Sequence, residues 1–402
     1  MTTVAECLLT LNAGSSSIKF ALFAAAGGEP APLAAGQVEG LGTAPVFKVR
    51  RSAAPGPVAV PLQAEGPMSH RAALSVILAW IEATCPDARI GAVGHRVVHG
   101  GSRFEAPVAV DEGVLAALEA YVPLAPLHQP HNLSGIRAAQ AAFPAALQVA
   151  CFDTAFHRGH PYVADTFALP RSLYDEGLRR YGFHGLSYEY VARRLAEDHP
   201  ALAAGKVVVA HLGNGASMCA LNAGRSVAST MGFTALDGLP MGTRCGQLDP
   251  GAVLYLMQEK GMTAQEISDL LYNRSGLKGL SGVSSDMRDL EACDRPQARR
   301  AIAYFVDRIR HELGGLAAAL SGLDALVFTG GIGENAFRVR EAVTAGMDWL
   351  GIVVDRDANA GNATVVSTPW SRVQVLVLPT DEEAMIARHT LAAVAARSPV
   401  AA

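Results

Sequence analysis

The sequence has little that would mark a secreted or membrane-bound protein. Its six cysteines lie far apart and include no Cys-x-x-Cys pair, unlike a disulfide framework. No uninterrupted apolar run reaches the roughly 18 residues that a membrane helix requires. Residues 1–11 include Glu6 and lack a basic start, so we expect no signal peptide. These absences favour buried or free thiols and a cytoplasmic protein.

Excess charge of one sign is also missing. The formal net charge is -4, so we expect no general attraction to nucleic acid or to anionic membranes. Any bound anion would have to be held by local positive charge. The motif Gly-x-x-x-x-Gly-Lys-Ser/Thr is absent as well, which excludes a P-loop enzyme.

The composition is that of a folded protein, since 50% of the 402 residues are hydrophobic and 17% are charged. A chain of this length exceeds one ordinary core, so we expect two domains. Residues 40–68 are rich in proline and glycine and predict a loop or an edge hairpin outside the core.

Two similar strand–turn–strand patterns lie about 200 residues apart along the chain. The first surrounds a turn of small residues at 12–17. The second surrounds Asn214-Gly215, a dipeptide that favours tight hairpins because both residues tolerate positive φ. The repeat predicts a duplicated domain, and two unrelated hairpins are the alternative.

Helix and strand signals alternate in the second half of the chain, which indicates an α/β fold. A long helical pattern covers residues 297–320 and is interrupted by Gly314-Gly315. In open α/β sheets, ligands bind at the carboxyl ends of strands, where this chain has glycine-rich turns. The predicted helix starts are Asp111, Asp249, Thr263 and Thr380, and the predicted strands are residues 325–329 and 372–378.

Three glycine-rich turns are candidates for phosphate or nucleotide binding: residues 12–19, 211–217 and 330–335. Small residues let backbone N–H groups approach phosphate oxygens, serine hydroxyls add donors, and Lys19 adds a positive charge. The third turn follows a buried strand, so its glycines would let a base or ribose approach the backbone. Each turn taken alone is also compatible with an ordinary connection between strands.

Three cationic side chains lie on glycine-flanked segments: Arg96, His184 and Arg244. A guanidinium such as that of Arg96 can hold a carboxylate or phosphate through two hydrogen bonds, although an isolated arginine is equally compatible with a surface position. His95 and His99 are four residues apart. The β-branched residues between them favour a strand end over a metal-binding helix.

Two carboxylates are further candidates. Asp153 follows Phe152, and an unpaired charge in such an apolar setting is costly, so we expect an arginine, a metal or a hydrogen-bond donor beside it. Glu382 is equally compatible with a functional carboxylate and with a structural role, because acidic residues also stabilise the first turn of a helix.

Six motifs occur in order along the chain: LNAGSSSIKF (11–20), YGFHGLS (181–187), HLGNGAS (211–217), MGFTALDGLPMGTRCG (231–246), FTGGIGEN (328–335) and PTDEEAMIA (379–387). Together they resemble the acetate kinase family over nearly the whole chain. The resemblance implies two ribonuclease H-like (actin-like ATPase) domains, with the active site in the cleft between them, and a homodimer. The implied domains are residues 1–152 plus 386–402, and residues 153–385.

The resemblance also implies roles for the matching residues. The catalytic group would be Asp153, His184 and Arg244. The acyl substrate would contact Arg96, Val98, Leu127, Phe183 and Ala235. Asn12 and Glu382 would hold the metal. ATP would contact Lys19, His211, Leu212, Gly213, Asn214, Gly215, Asp286, Met287, Arg288, Gly331, Ile332, Gly333, Glu334 and Asn335. The resemblance implies that Asp153 is a proton donor or acceptor. A carboxylate substrate, however, is already ionised at pH 7, so we expect Asp153 to orient Arg96 or the metal shell instead.

The implied activity is reversible, Mg²⁺-dependent, direct in-line phosphoryl transfer between ATP and acetate, giving acetyl phosphate and ADP, with Mn²⁺ as an alternative ion. The family typically has proline where this chain has Ala235, so a wider pocket and a propionate or butyrate kinase form the first alternative. The others are a pyrophosphate-dependent enzyme and, from another class, an actin-like ATPase switch without a small substrate.

Overall fold

A computed structural model describes residues 5–14, 17–25, 28–52, 56–62, 66–126 and 128–397. The chain forms two compact units: the first contains residues 1–156 and 381–402, and the second contains residues 157–380. The sequence-based expectation had placed the boundaries at 152 and 386. By their contacts, Asp153 and Glu382 belong to the first unit.

The first unit is built on an eight-stranded sheet. The strands are β1 (Ala5–Ala13), β2 (Ser17–Ala24), β3 (Ala31–Glu39), β4 (Val46–Arg51), β5 (Val58–Val60), β6 (Ala88–Val97), β7 (Val108–Ala109) and β8 (Leu147–Phe152). The helices are α1 (His70–Thr84), α2 (Glu112–Glu119), α3 (Gln129–Ala142) and α16 (Glu382–Arg397), with a 3-10 turn at Val122–Leu124. The strand order is β5-β4-β3-β2-β1-β6-β8-β7, and helices α1, α3 and α16 pack against the sheet.

The second unit is built on a five-stranded sheet. Its strands are β9 (Lys206–Leu212), β10 (Ala216–Asn222), β11 (Arg225–Ser229), β12 (Ala325–Thr329) and β13 (Gln374–Val377), in the spatial order β11-β10-β9-β12-β13. Its helices are α4 (Tyr162–Asp165), α5 (Arg171–Asp175), α6 (Gly185–Asp198), α7 (Pro200–Ala203), α8 (Pro250–Gln258), α9 (Ala264–Asn273), α10 (Gly276–Ser281), α11 (Met287–Glu291), α12 (Pro296–Ala319), α13 (Gly330–Asn335), α14 (Phe337–Thr344) and α15 (Arg356–Ala360), with a 3-10 turn at Asp348–Leu350.

The two sheets share one topology. In the first unit, β1, β2 and β3 are antiparallel, and β6 and β8 continue in parallel with β1. In the second unit, β9, β10 and β11 are antiparallel, and β12 and β13 continue in parallel with β9. The duplicated hairpin predicted from the sequence is therefore the first half of a duplicated ribonuclease H-like sheet.

Helix α16 reaches the middle of the first sheet because β6 has a glycine where they meet. A Cβ atom on Gly94 would lie 2.2 Å from Oγ1 of Thr390 and 2.6 Å from Cγ2 of Ile386. Close approach of the helix brings its first residue, Glu382, to the carboxyl ends of the parallel strands. On the opposite face of the sheet, Leu9 and Phe20 pack with Ile77 of α1, and all three are almost fully buried.

Most local predictions are confirmed. Asp111 accepts a hydrogen bond from Val114 N–H at the start of α2, and Thr263 forms a capping box with Glu266 at the start of α9. The proline-rich region contributes β4 and β5 at the sheet edge, as an edge hairpin. Each of the six cysteines is a free thiol. Within the described ranges, no helix combines the length and the hydropathy needed to cross a membrane.

Two local predictions are wrong. Helix α12 continues through Gly314-Gly315 instead of breaking there. Each glycine weakens a helix by only about 1 kcal/mol, and burial of Leu313 and Leu316 on one face outweighs this. The glycine-rich segment after β12 is helix α13, not an open turn. Its first N–H group, from Gly330, donates to the Glu334 carboxylate at 2.9 Å, which stabilises the helical turn.

Candidate active site

In the first unit, Arg96 and Asp153 form an ion pair at the ends of two parallel strands. Arg96 is the penultimate residue of β6, and Asp153 directly follows β8. Arg96 Nε lies 3.0 Å from Asp153 Oδ1, and Nη2 lies 2.6 Å from Oδ2. Asp153 is only 1% exposed. Of the partners expected for a carboxylate in this apolar setting, the structure shows an arginine. The Arg96 side chain is still 19% exposed, so a ligand can reach the N–H groups that do not bind Asp153.

The charges of this pair depend on burial and on each other. Burial opposes the positive charge of Arg96, but the neighbouring carboxylates of Asp153 and Glu382 outweigh it and raise the pKa of Arg96 above its ordinary value. Burial raises the pKa of the Asp153 carboxyl, and the Arg96 charge counters that rise. Both Asp153 oxygens accept hydrogen bonds from Arg96, so this carboxylate is built to hold the guanidinium.

Asn12 and Glu382 lie beside Arg96 in the same unit. Arg96 Nη1 donates to Asn12 Oδ1 at 3.4 Å, and Arg96 Nε lies 3.8 Å from Glu382 Oε2. Lys19 is exposed and pairs directly with Asn12 across the β1–β2 hairpin. Directly paired antiparallel residues share a sheet face, so Lys19 lies on the same face as Asn12. The strand ends and the start of α16 therefore bring together Asn12, Arg96, Asp153 and Glu382, which the sequence had singled out separately.

The oxygen atoms of Asn12 and Glu382 suit a hard divalent cation. In the described parts of the chain, no group of three or more His, Cys, Asp or Glu residues could hold a metal ion. Mg²⁺ is a hard cation of this kind, and it is commonly held by one or two protein oxygens together with water and phosphate. His95 and His99, which are four residues apart, do not form a metal-binding pair on a helix, because His95 lies in strand β6 and its ring contacts Gln148. Burial lowers the pKa of His95 to about 4.

In the second unit, His184 and Arg244 converge on Gly215. A Cβ atom on Gly215 would lie 3.1 Å from His184 Nε2 and 3.2 Å from Arg244 Nη2. Arg244 is oriented by Ala235, whose carbonyl accepts from Nη1 at 2.9 Å. The ring of His184 stacks on that of His211 with centroids 4.3 Å apart. Glycine at 215 thus leaves the space into which an imidazole and a guanidinium point.

The backbone of His184 is held in a left-handed conformation, with φ 56°, at the start of α6. Such a conformation is uncommon for residues other than glycine and requires support from its surroundings. His157 supplies a contact on one side, because its Nε2 lies 2.9 Å from the Phe183 carbonyl. Burial lowers the pKa of His157 to about 4, so the ring stays neutral at pH 7. Ser217 supplies a contact on the other side, with its Oγ 2.8 Å from His184 Nδ1.

A cavity of about 710 Å³ opens beside these residues in the second unit, which is within the size range of small-molecule sites. Eight residues predicted to contact ATP line it: Gly213, Asn214, Asp286, Met287, Arg288, Gly331, Ile332 and Asn335. Three further lining residues were missed: Ser285, Glu291 and Ala336. Ser285 directly precedes Asp286, and Glu291 lies about one helical turn after Arg288. Both could have been found from the sequence as neighbours of predicted nucleotide contacts.

The other predicted nucleotide residues lie outside the lining of this cavity. Leu212 is fully buried, and His211 accepts or donates a hydrogen bond with Ser187 at 2.8 Å. The Glu334 carboxylate binds the N–H groups of Gly330 and Thr380. Val98 and Phe183, which were predicted to contact the acyl group, are buried in the first and second unit respectively. Leu127, Ser15 and Ser16 lie outside the described residues.

Comparison with known proteins gives a consistent result. The model of the acetokinase family matches residues 7–388. The acetate kinase of Methylocella silvestris is 60% identical, with 97% of this chain and 98% of that protein aligned. The crystal structure of Porphyromonas gingivalis acetate kinase aligns with a TM-score of 0.85 at 39% identity, covering 97% of this chain and 100% of that one. A propionate kinase from Francisella tularensis aligns with a TM-score of 0.88 at 36% identity, covering 96% and 99%. The chain belongs to the acetokinase family.

Proposed function

We propose that this chain transfers a phosphoryl group reversibly between ATP and acetate, giving acetyl phosphate and ADP. Its family assigns it to the ATP-dependent carboxylate kinases. The observation that carries the proposal is the convergence of Arg244 and His184 on Gly215, beside a cavity of nucleotide size that Gly213 and Asn214 line. Two cationic or polar donors at such a point suit the charge that develops on a transferring phosphoryl group.

The proposed mechanism is direct in-line transfer. Because acetate is already ionised at pH 7, the attacking oxygen needs no general base. Arg96 binds the acetate carboxylate, and Asp153 holds the guanidinium in its binding orientation through two hydrogen bonds. Val98, Phe183, Ala235 and Leu127 form the apolar contacts of the acyl group. The acid is thereby fixed in position, which accounts for much of the catalysis in a reaction with a loose transition state.

The remaining residues act on the phosphate groups. Arg244 and His184 donate hydrogen bonds to the equatorial oxygens of the transferring group, and Lys19 contacts the ATP phosphates together with His211 and Gly215. Asn12 and Glu382 would hold the Mg²⁺ that accompanies ATP, and this ion would supply positive charge that neutralises the phosphates. Mn²⁺ is the alternative ion. Asp286, Met287 and Arg288 hold the adenosine together with the segment 331–335.

The function is tested by measuring acyl hydroxamate and ADP formation with ATP, Mg²⁺ and acetate, propionate or butyrate. The proposal expects ADP formation that depends on the acid and matches the hydroxamate formed. Slow ATP hydrolysis that acetate does not change would instead identify an actin-like ATPase switch. Activity with pyrophosphate in place of ATP would overturn the assignment of the nucleotide cavity.

Replacing Ala235 with proline should shift the acid preference towards acetate. Ala235 is smaller than the proline typical of the family, so an acyl chain with one more CH₂ finds more room. Burial of one CH₂ contributes about 0.8 kcal/mol, or about fourfold in kcat/KM. We expect the propionate-to-acetate ratio of kcat/KM to fall about fourfold in Ala235→Pro. The Ala235 carbonyl that holds Arg244 is retained, so kcat for acetate should change little. An unchanged ratio would show that residue 235 does not set the preference.

We also propose that the protein is a cytoplasmic homodimer that binds neither nucleic acid nor membranes. Helix α8 supports the dimer, because it has no buried residue and exposes Leu254, Tyr255 and Met257 by 54%, 51% and 47%. Apolar surface of this kind is typical of a subunit interface. Sedimentation equilibrium should give twice the chain mass of 41.9 kDa, and Leu254→Asp should give the single chain mass. A monomeric wild-type protein at micromolar concentration would contradict the dimer.

A further inference from the structure

The ends of β1 and β6 carry residues for both substrates of the proposed reaction. In the described part of the sheet, these parallel strands pair as far as Leu11 and His95. The next residue of β1 is Asn12, which the proposal assigns to the metal. The next residue of β6 is Arg96, which it assigns to the acid. The separation of these two strand ends therefore sets the separation between the metal and the acid.

Beyond the last pair, one side chain from α3 joins the two strands. Asn132 Nδ2 donates to the Ala13 carbonyl at 2.8 Å, and Asn132 Oδ1 accepts from the Val98 N–H at 3.0 Å. These partners fix the orientation of the amide, since a carbonyl can only accept and an N–H can only donate. Asn132 is 3% exposed, so water does not substitute for these bonds. The amide thus occupies the place of a peptide group between the strands.

Neighbouring residues hold α3 in register with both strand ends. On the β1 side, a Cβ atom on Gly135 would lie 3.0 Å from the Cβ of Ala13, so only glycine allows this approach without displacement. On the β6 side, Gln129 Nε2 donates to the His99 carbonyl at 3.1 Å. Only asparagine offers a donor and an acceptor at this reach. Aspartate lacks the donor, leucine lacks both groups, and glutamine is one CH₂ longer.

We propose that Asn132 is a positioning residue, which sets the separation of the metal-binding and acid-binding strand ends and so couples the binding of both substrates. This inference rests on the proposed function. Loss of the amide leaves buried backbone groups of Ala13 and Val98 unpaired, and each strand end then shifts to find a partner. Two half-saturation constants should change together, although Asn132 contacts neither substrate.

The test compares Asn132→Asp and Asn132→Leu with wild type. The readouts are KM for acetate, the Mg²⁺ concentration at half-maximal rate, kcat and the thermal midpoint. We expect both half-saturation constants to rise about tenfold in each variant, as loss of one or two buried hydrogen bonds would produce. The matched control is Thr10→Val, which removes a buried hydrogen bond from β1 to the Ala21 carbonyl of β2, away from the pairing of β1 with β6. That variant should lose stability and keep both constants.

A purely structural role would lower the thermal midpoint and the active fraction but leave both half-saturation constants unchanged, and this result would overturn the proposal. A rise in only one constant would overturn the coupling. If Asn132 variants do not fold, Gly135→Ala tests the same point, because alanine favours the helix yet displaces Ala13. It should raise both constants about threefold, and unchanged constants would refute the proposal. A wild-type protein that forms no acyl phosphate would refute the proposed function itself.

Discussion

Arg244→Ala is expected to lower kcat by about 10³-fold while KM for ATP changes by less than about threefold. Cations that stabilise a transferring phosphoryl group are worth about 10³–10⁵ in kcat, and a single preorganised donor is worth about 10²–10³. Arg244 is held by the Ala235 carbonyl and points at the space over Gly215, not at the adenosine residues. Its contacts would therefore form mainly in the transition state, which lowers kcat without weakening ATP binding.

Two further variants make the Arg244 experiment specific. Arg244→Lys keeps a positive charge but loses the planar fork, so we expect it to recover only part of kcat. Arg310→Ala is the matched control, because Arg310 also binds backbone carbonyls, those of Ala342, Val343 and Ala345 at the end of α14. Arg310→Ala should reduce stability and retain kcat. Initial rates at saturating acetate, with ATP varied, give kcat and KM for ATP for each of the three variants. A kcat within about tenfold of wild type in Arg244→Ala would remove Arg244 from the catalytic group.

Asp153→Asn is expected to lower kcat/KM for acetate by about 10²-fold without changing the shape of the pH–rate profile. Removing one partner of a buried ion pair costs about 3–5 kcal/mol, part of which appears as lost stability and part as misplacement of the remaining charge. Asparagine matches the size of aspartate, but its NH₂ group faces the donors of Arg96. The guanidinium then turns towards Glu382, its other acidic neighbour.

The pH profile separates this orienting role from proton transfer. If Asp153 removed a proton, the rate of Asp153→Asn would recover as raised pH supplied hydroxide in its place, and such recovery would count against the orienting role. Asp165→Asn is the matched control. Asp165 is a buried aspartate that forms ion pairs with Arg158 and Arg179 in the second unit. We expect that variant to lose thermal stability while its kcat/KM for acetate stays near the wild-type value.

The predictions from local sequence succeeded where neighbours along the chain determine the structure. The hairpins around residues 12–17 and Asn214-Gly215 depend on turn chemistry and alternating apolar residues, and both formed as predicted. They failed at Gly314-Gly315 and at residues 330–335. At Gly314-Gly315, burial of the neighbouring Leu313 and Leu316 outweighed the intrinsic preference of glycine. At residues 330–335, the hydrogen bond from Gly330 N–H to the Glu334 carboxylate did so.

The functional residues divide in the same way. The cationic and acidic candidates could be identified from the sequence, because glycine-rich turns and charged residues after apolar strands are recognisable without a structure. Asn132 carries no such signal, since a single asparagine disfavours a helix only weakly and has no motif around it. Its proposed role arises only because α3 places it between two strand ends that are far from it along the chain.

Residue order alone therefore accounts for the duplicated hairpins, the α/β class and the motifs that resemble acetate kinases, because each depends on local periodicity and turn chemistry. Only the tertiary structure decided that Arg96 is the partner of Asp153 among those expected, that Arg244 and His184 meet over Gly215, and that Asn132 joins β1 to β6. The physical reason is that a buried charge or amide must find its partner across the fold, and the identity of that partner depends on strand order and helix packing.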